Sequence, residues 1–71
     1  MMAQIIASMA GTVLSVVVST GDQVVEGQDV VVLESMKMEV PIAAEVSGKV
    51  LQVHVQTGDF VNEGDPILDL E

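Results

Sequence analysis

The sequence predicts a small all-β domain, and three observations support that prediction. The chain has 71 residues, 49% of them hydrophobic and 1% aromatic, and valine dominates the hydrophobic set. Valine is β-branched and favours the pleated, half-buried surface of a sheet. Residues 50–56 (Val-Leu-Gln-Val-His-Val-Gln) alternate apolar and polar side chains, which is the two-residue period of a strand. The third observation is an internal repeat, and it predicts how the strands are arranged.

Residues 11–34 repeat as residues 48–71, and 13 of the 24 aligned positions are identical. All six glycines pair under this shift of 37 residues, so the two copies share one backbone plan. A repeat of this kind marks a structural unit that is used twice in the fold.

The repeat divides the whole chain into two equal units, residues 1–34 and 38–71, with a junction at 35–37. Each unit is too small to close a hydrophobic core alone. We therefore expect both units to pack face to face about a pseudo-two-fold axis, as a single domain spanning 1–71. The junction then lies at the end of the domain opposite the chain termini, which predicts that Lys37 is an exposed tip.

Each unit is predicted to contain a long strand, two turns and a last strand. The long strand ends at a Thr-Gly-Asp turn, at 20–22 and again at 57–59, where glycine can take a positive φ and aspartate can bind nearby backbone. The alternation predicts that every second residue of the long strands faces the core, namely Leu14, Val16 and Val18 and, in the second copy, Leu51, Val53 and Val55.

The second turn of each unit contains a Glu-Gly pair, at 26–27 and at 63–64, and a last strand follows at 30–34 and at 67–71. If Asp69 faces water, its neighbours in that strand face the core. The core is then predicted to include Leu68 and Leu70 and, by the repeat, Val31 and Leu33.

Residues 29–44 are predicted to form a β-hairpin whose two-residue turn is Met36-Lys37. Both central residues of such a turn need a positive φ, and Asn-Gly or Asp-Gly is the usual pair. A Met-Lys pair carries strain of about 1–3 kcal/mol there. Our hypothesis is that this pair serves presentation of the Lys37 amine to a modifying enzyme rather than stability.

The formal net charge is −9, from eleven carboxylates and two lysines. Such a surface repels a polyanion, so we expect no nucleic-acid partner. A basic protein surface is the more plausible partner, although the acidity serves solubility equally well. The strong like charge also argues against self-association, and a monomer is expected.

No apolar run approaches the ~20 residues needed to span a bilayer, and residues 1–6 lack the basic flank of a signal peptide. The chain has no cysteine, so it has neither a disulfide framework nor a thiolate metal site. We therefore expect a cytoplasmic protein with no membrane partner.

Residues 34–39, Glu-Ser-Met-Lys-Met-Glu, resemble the Glu-Ala-Met-Lys-Met motif of biotin carboxyl carrier domains, with Ser35 in place of alanine. The resemblance to this biotin/lipoyl attachment family covers nearly the whole chain, including Met9-Ala10-Gly11, the Gly-Asp turns and the repeat. It implies the fold of the family, a barrel-sandwich hybrid of two four-stranded antiparallel sheets with pseudo-two-fold symmetry.

The resemblance also implies a biotin carboxyl carrier, with Lys37 as the site of covalent biotin attachment and Met36 and Met38 as recognition flanks. A biotin protein ligase would attach the biotin. A biotin carboxylase would then carboxylate it, and a carboxyltransferase would receive the carboxyl group. The chain itself is then a non-catalytic carrier with no catalytic residue. Glu34 and Glu39 either help the ligase to dock or keep the hairpin soluble.

Two alternatives stay open. A lipoyl carrier domain of a 2-oxo acid dehydrogenase-type system would use the same Lys37 with lipoate as its cofactor. The flanking methionines favour biotin, because lipoyl domains typically have Asp-Lys-Ala. The other alternative is an unmodified barrel-sandwich module used for assembly only, and a tip without lysine would have favoured it.

The remaining polar residues are interpreted as structural. His54 is the only histidine, is expected on the outward face of its strand and has no cysteine as a nucleophile partner. Lys49 is interpreted as an ordinary surface residue. Four carboxylates recur in the turns and are assigned turn roles rather than a metal site or an acid/base pair, namely Asp22, Asp59, Glu26 and Glu63.

Overall fold

The computed structural model describes residues 2–71, and Met1, the first residue of the predicted first unit, lies outside the described residues. Eight strands follow one another along the chain: β1 (Ala3–Ile6), β2 (Gly11–Val16), β3 (Gln23–Val24), β4 (Asp29–Ser35), β5 (Met38–Ala43), β6 (Gly48–Val53), β7 (Phe60–Val61) and β8 (Pro66–Leu70). Turns and bends connect them, and residues 2–71 contain no helix. The all-β prediction is therefore confirmed.

The strands form two four-stranded antiparallel sheets. Sheet 1 has the strand order β1-β8-β6-β3, and sheet 2 has the order β5-β4-β2-β7. The shift of 37 residues relates each strand of one sheet to its counterpart in the other, so that Gly11–Val16 corresponds to Gly48–Val53. Each sheet takes two strands from each repeat unit. The two units therefore interleave, and the fold is the barrel-sandwich hybrid that the family resemblance implied.

The two sheets enclose a core of aliphatic side chains. The four core residues predicted from the last strands, Val31, Leu33, Leu68 and Leu70, are all fully buried, which confirms that part of the prediction. Their neighbours Val30 and Ile67 are fully buried as well. Within residues 2–71 no polar or charged side chain is buried, so the core is held by packing alone.

The predicted inward face of β2 was wrong at Leu14. Leu14 is half-buried, whereas its neighbour Val13 is buried. The pairing of β2 with β4 shifts register between Val13 and Ser15, which leaves Leu14 as an extra residue in the strand. A bulge of this kind reverses which alternate residues face inward. Beyond it the predicted phase is correct, because Val16 packs against the core and Val18 is buried.

Strand β6 repeats the same irregularity, and the prediction for Leu51 was wrong for the same reason. The pairing of β6 with β8 shifts register between Val50 and Gln52, and Leu51 is half-buried while Val50 is in the core. After the bulge, Val53 and Val55 pack against the core as predicted.

The four predicted turns are confirmed. The central glycine of each has a positive φ of 90–97°, a conformation that glycine adopts without steric cost; these residues are Gly21, Gly27, Gly58 and Gly64. The hydrogen bonds of the turns also repeat. The Val50 amide donates to the Asp22 carbonyl at 2.8 Å, and the equivalent Val13 amide donates to the Asp59 carbonyl at 2.7 Å.

Gly11 lies at the start of β2, close to the end of β4. A Cβ atom at this position would be 2.8 Å from the carbonyl oxygen of Glu34, so a larger residue would displace the end of β4. The equivalent Gly48 lies against the carbonyl oxygen of Glu71, where a Cβ would be at 2.6 Å.

The structure describes no helix that is long and apolar enough to cross a membrane.

Candidate functional site

The hairpin formed by β4 and β5 ends in the two-residue turn that the sequence predicted. The strands pair from Asp29 with Ala43 up to Ser35 with Met38. Between them Met36 has a φ of 52° and Lys37 a φ of 66°. Positive φ at both central residues is the pattern of a type I′ turn, which matches the twist of the flanking strands. The predicted turn is confirmed.

The side chains of the turn point into solvent. Met36 is 92% exposed and Met38 is 65% exposed, and Lys37 between them is exposed as well. No carboxylate of residues 2–71 lies within 4.0 Å of the Lys37 ammonium. The turn thus offers a primary amine that no ion pair within the described chain restrains.

The hairpin is anchored by its position in sheet 2. Strand β4 is an inner strand that pairs with β2 on one side and β5 on the other. Its side chains Val31 and Leu33 are fully buried, and Ile42 of β5 is buried too. Burial on this scale holds the base of the hairpin to the core. The arrangement holds the turn at the end of an anchored hairpin, with the exposed Lys37 side chain between Met36 and Met38.

Two exposed carboxylates flank the turn. Glu34 and Glu39 lie directly opposite each other on β4 and β5, and both are exposed. Like charges that face each other across two strands repel weakly. Their placement therefore reduces the stability of the hairpin slightly and gives its outer face a negative charge next to Lys37.

A second cluster of polar side chains lies on the outer face of sheet 1, away from Lys37. His54 Nε2 is 3.0 Å from Asp69 Oδ2, and the side chains are 26% and 20% exposed. Gln4 Nε2 donates to Asp69 Oδ1 at 3.0 Å. The hydrogen bond from Gln4, followed by that from His54, lowers the pKa of the Asp69 carboxyl below its ordinary value. The cluster ties β1, β8 and β6 together.

His54 and Asp69 were predicted to lie on the outward faces of their strands, but their contact was not predicted. The contact depends on β6 and β8 being neighbours, and this strand order is not visible in a local pattern. The repeat carried a weak signal, because His54 and Asp69 correspond to Val17 and Val32 in the first copy. Two polar residues that replace valines in equivalent strands indicate an interaction specific to one sheet.

The turn carboxylates separate into two groups. Asp22 Oδ2 accepts from the Ser19 amide at 2.8 Å, and Asp59 Oδ2 accepts from the Gln56 amide at 3.0 Å, so their predicted turn roles are confirmed. In the Glu-Gly turns the accepting side chains are instead those of residues 28 and 65. Gln28 Oε1 accepts from Val25 and Asp65 Oδ2 accepts from Asn62, while Glu26 and Glu63 are exposed.

The other lysine lies in a different setting. Lys49 is exposed in β6, opposite Gln23 of β3. It lies within a strand of sheet 1 and faces solvent, which agrees with its interpretation as a surface residue.

Residues 2–70 match the family model Biotin_lipoyl, described as "Biotin-requiring enzyme". The chain belongs to this family. The biotin/lipoyl domain therefore accounts for nearly all of the sequence, including the repeat and the hairpin.

Two curated relatives of the biotin/lipoyl domain match about half of its sequence. The Biotin/lipoyl attachment protein of Bacillus subtilis is 59% identical over 34 residues, which are 48% of this chain and 47% of that protein. The Biotinylated protein TB7.3 of Mycobacterium tuberculosis is 56% identical over 36 residues, or 51% of each chain. The matched part thus spans about half the length of these relatives.

Two solved carboxylases contain a region with the same fold. A single-chain, multi-domain long-chain acyl-CoA carboxylase matches 96% of this chain with a TM-score of 0.89 and 37% sequence identity, over 7% of its own length. The urea carboxylase of Kluyveromyces lactis matches 100% of this chain with a TM-score of 0.92 and 30% identity, over 6% of its length. This biotin/lipoyl domain is similar to a small part of each.

Proposed function

We propose that the chain is a biotin carboxyl carrier in which the Lys37 side chain holds biotin through an amide bond. The modified side chain takes up a carboxyl group at a biotin carboxylase and releases it at a carboxyltransferase, and the domain itself is non-catalytic. The observation that carries this proposal is the exposed Lys37 amine at the centre of a hairpin turn, between two methionines, in a chain of this family.

Attachment requires Lys37 to act as a nucleophile. In its neutral form Nζ attacks the carboxyl carbon of biotin that a biotin protein ligase has activated as an adenylate. The amide C–N bond forms, AMP leaves and the nitrogen loses a proton. An exposed amine without an ion-pair partner in the described chain fits this step, because no carboxylate has to be displaced first.

Once attached, biotin supplies a carrier for an activated carboxyl group. The chain supplies a fixed base for it, since β4 and β5 hold the turn against the core and the long Lys37 side chain swings from that base. A tethered group of this kind reaches partner active sites at a high effective concentration. Met36 and Met38, both exposed beside Lys37, are the proposed recognition flanks.

The proposed partners are the ligase, a biotin carboxylase and a carboxyltransferase. Support for carboxylase partners comes from the two carboxylases that contain a region with this fold. We further propose that residues 1–71 act as one carrier domain, a monomer in the cytoplasm. The interleaving of the two repeat units across both sheets supports a single domain.

Lipoate on Lys37 is the second candidate. It is favoured by the name of the family, Biotin_lipoyl, and by the name of the Bacillus subtilis relative, Biotin/lipoyl attachment protein. Both candidates require the same lysine. They differ in the group that is attached and in the enzymes that are served.

Intact-mass spectrometry of the chain from biotin-fed cells, combined with avidin binding, tests the proposal. The native chain should gain the mass of biotin less one water and bind avidin, and Lys37→Arg should do neither. Lys49→Arg is the matched control, because Lys49 is exposed and is the only other lysine of the chain. It should be biotinylated as the native chain is.

Each other outcome has a defined meaning. An unmodified native chain would sink the biotin proposal and favour the assembly module. A mass addition equal to lipoyl would select the second candidate. An addition that survives Lys37→Arg would place the modification on another residue.

A further inference from the structure

The outer faces of the two sheets differ in chemistry although their backbones are equivalent. Outward residues of sheet 1 include the polar residues Gln4, Gln23, Gln52, His54 and Asp69. The positions 37 residues away, on sheet 2, hold Pro41, Phe60, Ser15, Val17 and Val32. Sheet 2 thus has apolar residues where sheet 1 has its hydrogen-bonded polar cluster.

We name the set Val17, Val32, Pro41 and Phe60 the apolar face. Val17 is 53% exposed and Phe60 is 64% exposed, Pro41 is exposed and Val32 is half-buried. Single exposed apolar residues are ordinary on a protein surface. Four on one face are not required by this fold, because the equivalent positions of sheet 1 accept glutamine, histidine and aspartate. Val32 and Pro41 are direct cross-strand neighbours, and adjoining apolar residues at the surface mark interaction sites more often than single ones do.

The apolar face and the hairpin that carries Lys37 belong to the same sheet. Phe60 lies opposite Thr12, Thr12 opposite Glu34, and Glu34 opposite Glu39, so one row of side chains crosses all four strands of sheet 2. Three strand spacings make this row about 14 Å long. Its far end at Glu39 is two residues from Lys37 along the chain.

Val32 and Pro41 belong to the next outward row of the same sheet, where they lie opposite each other on β4 and β5. A protein that binds the turn and extends along the outer face of the hairpin therefore contacts Val32 and Pro41.

We propose that the apolar face of sheet 2 is the docking surface for the enzyme that attaches biotin to Lys37, with Phe60 as the anchor. The inference rests on the proposed function. That enzyme must hold Lys37 Nζ within bonding distance of the activated carboxyl carbon, so it must hold the whole domain in one orientation. The three residues around the turn offer too little surface, since a specific interface buries about 800 Å² on each partner.

The charge around the apolar face specifies the partner further. The exposed carboxylates Asp29, Glu34 and Glu39 lie on β4 and β5, the strands that carry Val32 and Pro41, and Lys49 lies on the other sheet. The partner surface that complements this arrangement has an apolar recess for an aromatic ring, bordered by lysine or arginine. Phe60 is the only aromatic residue of the chain, and exposed aromatic side chains are the usual anchors of such interfaces.

Biotinylation kinetics with the full-length unmodified chain test this inference. Initial rates are measured against chain concentration with a purified biotin protein ligase, biotin and ATP. Phe60→Gln installs the residue found at the equivalent position 23 of sheet 1. It should raise KM about tenfold and leave kcat unchanged, because it removes a docking contact and not the reacting amine.

Gln23→Phe is the matched control, since it adds the same ring at the equivalent position of sheet 1 and keeps Phe60. It should leave KM at the native value. Val17→His, which installs the residue found at position 54, is a second variant of the apolar face and should raise KM as well. Thermal unfolding of each variant confirms that it folds.

Several results would overturn the inference. A native KM in both Phe60→Gln and Val17→His would remove the docking role of the apolar face, and an equal rise in Gln23→Phe would remove its specificity. Sedimentation that finds a native dimer dissociated by Phe60→Gln would identify a second copy of the chain as the occupant. A native chain that gains no biotin at any ligase concentration would instead refute the proposed function, and this inference with it.

Discussion

At the scale of single residues, the two lysines differ in backbone setting and not in chemistry. Lys37 has a φ of 66° at the end of a hairpin, whereas Lys49 lies within strand β6 opposite Gln23. An amine on a regular strand shares its surroundings with neighbouring side chains on the same face. An amine on a two-residue turn extends beyond the body of the domain. The two lysines, both exposed, therefore differ in how far their amines stand from neighbouring side chains.

Asp69 is the residue from which we predict a pH dependence. Hydrogen bonds from Gln4 and His54 lower the pKa of its carboxyl in the folded state. A carboxyl with a lowered folded pKa adds stability that is fully present above its unfolded pKa and is lost as the pH falls through the folded pKa. Asp69→Asn should therefore destabilise the chain at pH 7, and the difference from native should shrink below about pH 4. Thermal unfolding of the native chain and of Asp69→Asn, from pH 7 down to about pH 2.5, measures the difference in stability and its decrease at low pH.

Glu63→Gln is the control for this prediction, because Glu63 is an exposed turn carboxylate outside the Gln4–Asp69–His54 cluster. It should unfold at nearly the native temperature throughout the range. A stability deficit of Asp69→Asn that is as large at pH 2.5 as at pH 7 would contradict the electrostatic explanation. The deficit would then come from the lost geometry of the cluster.

At the scale of elements, the β4–β5 hairpin combines a well-anchored base with a turn that its residues disfavour. Replacing Met36-Lys37 with Asn-Gly should raise the free energy of unfolding by about 1–3 kcal/mol, because this pair accepts two positive φ angles with less strain. In a domain of this size, each kcal/mol raises the midpoint of thermal unfolding by roughly 4–8 °C. Thermal and urea unfolding of the Met36→Asn/Lys37→Gly variant measure the change.

Lys37→Arg serves as the control for the turn, because it removes the amine proposed for biotin attachment and keeps a side chain at the same positive φ. Its stability should equal that of the unmodified native chain. Unchanged or lower stability in the Asn-Gly variant would show that Met36 and Lys37 carry no strain. This result would contradict the hypothesis that Met36-Lys37 serves presentation of the Lys37 amine at a cost to the stability of the domain.

Most elements of this fold could be predicted from the sequence, and the bulges could not. The turns have unambiguous signals, since glycine and aspartate recur at equivalent positions in both copies. The interior of β2 has no such signal. Val16, Val17 and Val18 are consecutive valines, so hydrophobicity alone does not mark which of them faces inward. The extra residue at Leu14 changes the phase of the strand without a trace in composition, and only its pairing with β4 reveals it.

The site was predictable to a similar extent. The repeat and its junction predicted the turn at Met36-Lys37, because a local turn is a property of neighbouring residues. The apolar face and the His54–Asp69 contact each combine residues from different strands. Their assembly depends on strand order and on the bulges. A sequence pattern describes each strand separately and does not contain that information.

At the scale of the whole molecule, the symmetry of the backbone and the asymmetry of its surfaces have different origins. The core requires similar residues at equivalent positions of the two repeat units, because the interleaved units must fill one space with matched aliphatic side chains. The outer faces have no such requirement. Gln4 and His54 both bind Asp69 on sheet 1, while the side chains of Val17, Val32 and Pro41 at the equivalent positions have no polar groups to pair. Selection can therefore act on each outer face independently.

Because the two repeat units interleave in both sheets, we predict that neither half of the chain folds without the other. The fragment of residues 1–36 supplies two strands to each sheet, and the fragment of residues 37–71 supplies the other two strands of each sheet. Neither encloses a core, and chains below about 40 residues rarely fold without disulfides, metals or partners. Each fragment alone should therefore be unfolded, and an equimolar mixture should recover the β-sheet circular dichroism and the amide NMR dispersion of the intact chain.

A Leu68→Asp substitution in the second fragment is the control for this complementation, because Leu68 is fully buried between the sheets. A charge at that position carries a large desolvation penalty, so mixing should then recover no structure. A fragment that unfolds cooperatively by itself would contradict the prediction. The repeat unit would then be an independent fold, and the hairpin at Lys37 would be a linker between two small domains rather than a turn within one shared core.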